Sequence, residues 1–142
     1  MGGQSLIKDF FTFLWGGVIA FLSWFFGGLD GTLSLLIVLA VVDYLSGICV
    51  GWLEHNLSSS TGFKGIARKV LMFAFVGIAN LIDNYTGATP LAAKAVVCLF
   101  YISNEGFSIL ENAYKLGLPV PDILAKRFSG INERRHNEKW HP

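Results

Sequence analysis

The chain has 142 residues, of which 53% are hydrophobic and only 15% charged, with a net charge of +1 and a mean hydropathy of +0.53. Soluble globular domains carry about 25% charged residues, so this composition excludes an ordinary water-soluble domain and points to an all-α integral membrane protein. Its bases are unevenly placed: residues 10–53 contain no Lys or Arg, whereas residues 115–142 hold Lys115, Lys126, Arg127, Arg134, Arg135 and Lys139.

The first predicted span covers residues 10–29. Its run "FFTFLWGGVIAFLSWFF" lies where a signal peptide would, but only Lys8 beside Asp9 precedes it and no small-x-small cleavage site follows. It therefore reads as a retained span. Gly16, Ala20, Ser23 and Gly27 recur along it at steps of three or four and form one small-residue face. The linker "GGLDG" is short enough to make an antiparallel helical hairpin with the next span.

The second span covers residues 32–53 and carries Asp43 about eleven residues, or roughly 16 Å, from its outer end. That is close to the midplane of a hydrocarbon core about 30 Å thick. An ionised Asp there costs roughly 2.5–3.5 kcal/mol on insertion scales, so it must be protonated, paired, or turned toward protein or water. Ala40, Gly47 and Gly51 share its helical face, and "GICVG" is a GxxxG pattern that lets backbones approach closely. Two readings stay open: packing within the chain, and self-association between subunits with Asp43 as polar glue.

The third span, residues 68–85, starts at Arg68 and Lys69, which are placed at the membrane interface, and ends in the turn "DNYTGATP". The fourth, residues 91–113, holds Lys94, Cys98, Tyr101, Glu105, Ser108 and Asn112 at steps of four and three, a polar stripe on an otherwise apolar helix. Such a stripe faces the bundle interior, a neighbouring subunit or a water-filled lumen. Asp83 and Lys94 fall near the outer face on either side of the turn and are predicted to form an ion pair. Glu105 is placed deeper toward the cytoplasmic side than Asp43.

Loop charge tests the span count. The connections at 27–31 and 84–90 contain no Lys or Arg, whereas 54–69 and the tail do. Four spans with both termini in the cytoplasm put every basic stretch on one side. The organisation expected is a helical bundle over residues 1–113 and a cytoplasmic tail over 114–142, helical around Asp122–Phe128 and frayed after Gly130. Three spans plus an interfacial N-terminal helix is the alternative.

Nothing in the chain encodes chemistry. Cys49 and Cys98 lie in apolar runs, His136 and His141 have no third ligand beside them, and no nucleophile elbow, phosphate-cradling loop or metal cluster occurs. The expectation is no enzyme, no cofactor, no metal and no nucleic-acid partner.

"VVDYLSG", then "SSSTGFKGIARK", then "FYISNEGFSILENAYKLGLPVPDIL" resemble the phage holins of the toxin-secretion and phage-lysis type found in Gram-positive phages and prophages. The resemblance covers residues 36–128 and is most specific at Asn104, Glu105, Ser108, Glu111, Asn112, Gly117, Pro119 and Pro121. It implies a protein that accumulates in the cytoplasmic membrane, oligomerises with itself at a set time and opens lesions. Those release an endolysin or a toxin, cargo that the holin need not touch. An antiholin, or an inert membrane module that binds a holin, is the alternative reading.

Overall fold

In the computed structural model the chain is all-helical. Residues 2–55, 58–87 and 92–129 are described; Leu91, where the fourth span was expected to begin, Arg134, Arg135, Lys139 and both tail histidines lie outside them. Four long helices follow in order: α1 (Gly2–Phe26), α2 (Gly31–Leu53), α3 (Ser59–Thr86) and α4 (Ala92–Lys115). Each is long and apolar enough to cross a membrane. A short fifth helix, α5, covers residues 122–129.

Helices α2 and α4 begin and end within two residues of their expected spans where described, but α1 starts at Gly2 and α3 at Ser59, nine residues before the expected position. Hydropathy locates the part of a helix that sits in oil and is blind to polar turns that continue it. At about 1.5 Å per residue the 28 residues of α3 reach roughly 42 Å, well beyond a core of about 30 Å.

Helix ends have local causes. Asp30 is the N-cap of α2: its backbone is extended and its Oδ1 accepts from the Leu33 amide at 2.8 Å and the Thr32 hydroxyl at 2.7 Å. α4 stops in a Schellman turn, with Gly117 at φ 81°, its amide on the Tyr114 carbonyl and the Leu118 amide on that of Ala113. The turn sends the chain back toward the bundle, where Phe128 is buried and sets its ring 5.9 Å from that of Tyr114.

The core forms where α2, α3 and α4 meet: Leu33, Leu36 and Ala40, Met72 and Val76, and Cys98, with Phe26, Phe73, Val97, Tyr101 and Ile102 packed around them. α4 is central, lying on both α2 and α3. Asp30 meets Lys94 and Asp43 meets Asn112, so α2 and α4 run parallel; Lys69 meets Glu105, so α3 runs opposite to them.

The expected α1–α2 hairpin does not pack. Beyond the connecting turn, α1 brings its backbone close to α3 alone. The contact gathers at its last turn, where the Phe26 ring lies edge-on to Phe73 and Phe25 covers Gly77 so closely that a Cβ there would collide with the ring. Residues 5–24 of α1 are exposed, and a Cβ on Gly16 would meet nothing within 4 Å.

Candidate functional site

Two polar layers flank the apolar core. The first lies at the α2 N-terminus and serves helix ends. A helix leaves its last four carbonyls without intrahelical partners, and α1 finds them elsewhere. The Gly28 amide donates to Ser23 O, with Gly27 at φ 71° supplying the turn. Asn80 Nδ2 donates to the carbonyls of Trp24 (3.3 Å) and Phe25 (3.0 Å), and Lys94 Nζ to that of Phe26 (2.6 Å). The same ammonium lies 2.5 Å from Asp30 Oδ2. Asp83 caps α4, accepting the amides of Ala93 and Lys94 at 2.9 Å each.

The expected Asp83–Lys94 ion pair is therefore replaced by another arrangement. Lys94 gives its backbone amide to Asp83 and its ammonium to Asp30, because the Asp83 carboxylate is taken by the N-terminus of α4, where amides and the helix dipole both favour an anion. Burial opposes ionisation of Asp30. It is outweighed by hydrogen bonds from the Leu33 amide, Lys94 and Thr32 and by the Lys94 charge, which hold the carboxyl at about 2, below the ordinary 3.8.

The second layer lies around Asp43, thirteen residues beyond Asp30. Lys69 Nζ sits between two carboxylates, 2.9 Å from Asp43 Oδ2 and also bonded to Glu105 Oε2. Asn112 Nδ2 donates to Ser46 Oγ at 2.9 Å and to Asp43 Oδ1 at 3.3 Å, and Ser46 donates to the Asp43 carbonyl at 3.0 Å. The three charged side chains are 13–17% exposed. Fully ionised, two acids facing one base leave a formal charge of −1 near mid-span.

The stripe on α4 thus divides. Lys94, Glu105 and Asn112 turn to partners on neighbouring segments, and Tyr101 packs on the core. Ser108 instead lines a groove beside α5. Glu105, expected to lie deeper than Asp43, shares a layer with it. A Cβ on Gly47 would lie 3.8 Å from Asn112 Nδ2, an ordinary van der Waals contact, and Gly51 is half-buried on the same helix. Gly16 and Ala20 are exposed on α1, and the space around Gly16 is open. Sequence reasoning missed Lys69, Asn80 and Asp30. Lys69, Val76, Asn80 and Asp83 recur at helical steps along α3, a periodicity that carries the first two.

Residues 20–133 match the bacteriophage holin family, a stretch that contains both polar layers. The chain belongs to the bacteriophage holin family. This holin-family chain is similar to a protein of Bacillus phage phi105 named "Probable holin", at 37% identity over 99 residues, 70% of this chain and 73% of that one. It is also similar to uncharacterised proteins of Listeria monocytogenes (36% over 128 residues; 86% and 91% of the two chains) and Bacillus subtilis (36% over 114 residues; 80% of each). No solved structure matches it. Family and helices together support a holin-type role and point to a non-enzymatic, multi-pass membrane protein.

Proposed function

We propose that this holin-family protein assembles with copies of itself in the host cytoplasmic membrane, with both termini in the cytoplasm, and opens lesions. Through them an endolysin, or a toxin, leaves the cell and lysis is timed. The observation that carries this reading is the second polar layer. Asp43 and Glu105 stand near mid-span, and with Lys69 and Asn112 they are kept from lipid chiefly by one another.

Separating α4 from α2 and α3 would unpair them, which in oil is costly and beside water is not. A closed subunit then holds its polar groups inside, and an open assembly turns Lys94, Tyr101, Glu105, Ser108 and Asn112 toward a wet lumen. The small-residue faces at Gly16, Ala20, Gly47 and Gly51 supply close contacts between helices. A membrane potential acts on the unbalanced charge with about 2.3 kcal/mol per elementary charge per 100 mV, enough to bias such a choice.

The test is induced expression beside an endolysin that cannot leave the cytoplasm alone. Abrupt growth arrest with endolysin in the medium is expected. Continued growth with a polarised membrane overturns the reading, and delayed lysis on co-expression with an active holin would mark an antiholin instead.

A further inference from the structure

We propose that the groove between α4 and α5 is a seat for one anionic phospholipid, with its phosphate at Arg127 and its acyl chains along Phe107 and Ile123. The groove has a volume of about 610 Å³ and is lined by the apolar Phe107, Ile123, Leu124 and Phe128 together with the polar Asn104, Ser108, Glu111 and Arg127. Its floor is fixed, because the Gly117 turn reverses the chain, Pro121 O accepts the Leu124 and Ala125 amides, and Phe128 is buried against Tyr114.

Charge selects the occupant. Arg127 is exposed and has no ionic partner among the described residues. Glu111, the acid on the opposite wall, is already held by Lys115 at 2.7 Å, so the free charge in the groove is positive. Lys64, Arg68 and Lys126 stand at the same end of the bundle, also without ionic partners among the described residues, against Glu54 and Asp122 as the free acids. That surface draws anionic headgroups.

Depth selects a lipid rather than a soluble anion. Asn104 and Ser108 lie on the wall roughly 16 and 10 Å up α4 from its end, and their side chains make no hydrogen bond among the described residues. Polar groups at such depth need partners, and the glycerol and ester oxygens of a lipid supply them where water is scarce. Phe107 and Ile123, 55% and 80% exposed, flank the groove with bare apolar surface. This proposal does not depend on lesion formation.

The experiment is lipid titration of the full chain in neutral detergent, read by native mass spectrometry. Phosphatidylglycerol should bind one per chain, roughly tenfold tighter than phosphatidylcholine with the same acyl chains, and free glycerol phosphate should neither bind nor compete. Arg127→Gln should bring phosphatidylglycerol to the phosphatidylcholine level, while Lys126→Gln, one residue away and outside the groove, should change it less than about twofold. Equal affinity for the two lipids, equal losses in the two variants, or binding of glycerol phosphate as tight as that of the lipid would each overturn the seat. So would displacement of the lipid as protein concentration rises, which would make the occupant a second copy of the chain.

Discussion

Around the start of α2, Asp30, Asn80, Asp83 and Lys94 direct most of their hydrogen bonds to backbone groups at helix ends; around its middle, Asp43, Lys69, Glu105 and Asn112 bond mainly to one another. The difference matters because backbone carbonyls and amides cannot be mutated away. Removing a member of the first layer strands groups that every sequence must satisfy. The second layer satisfies only needs that its own side chains create, and an apolar replacement of matched volume is often neutral or stabilising in such a place. Folding alone therefore does not explain why the second layer is there.

Substitutions can break this contrast. Lys94→Met should be the most damaging, leaving Phe26 O and Asp30 Oδ2 without their donor and costing about 3–5 kcal/mol; thermal unfolding in detergent measures it. Asn80→Ala strands two carbonyls and should cost about 1–3 kcal/mol, with α1 becoming sensitive to protease while α2–α4 stay resistant. The triple change Asp43→Leu, Lys69→Met, Glu105→Leu should stay within about 1 kcal/mol of the parent yet abolish endolysin release. A large loss of stability there would erase the distinction between the layers. Asp43→Asn, which keeps the shape, should insert normally and shift the time of lysis.

The smallest effect is that of pH on Asp30. Its folded-state carboxyl is depressed, so its contribution to stability is complete above the unfolded value of 3.8 and is lost as pH falls toward about 2. Melting temperatures should be insensitive to this group above pH 4 and drop below it, and Asp30→Asn should remove that component of the drop.

Much of this was legible in the sequence. Four long helices follow from the apolar lengths, and Asp43 and the 94–112 stripe declare themselves because a polar group in oil has few explanations. The partners were not legible, since helical spacing fixes which residues share a face of one helix and says nothing of register between helices. Asp83 and Lys94 look paired because they are near in sequence, but a helix N-terminus competes for that carboxylate and wins. Lys69 reads as an interfacial residue because it follows Arg68 at the edge of an apolar run, yet its long side chain reaches inward to two acids. Gly77 carries no sequence signal at all; its role appears only once Phe25 is seen lying on it.

The attachment of α1 through Asn80 and Lys94 has a consequence for biosynthesis. Phe26 leaves the ribosome 68 residues ahead of the lysine that will bind its carbonyl, a lag of roughly 3–14 s at ordinary translation speeds. Throughout that interval the Phe26 carbonyl has only water or headgroups to satisfy it. Attachment of the first helix is thus provisional until α4 emerges and Lys94 completes it.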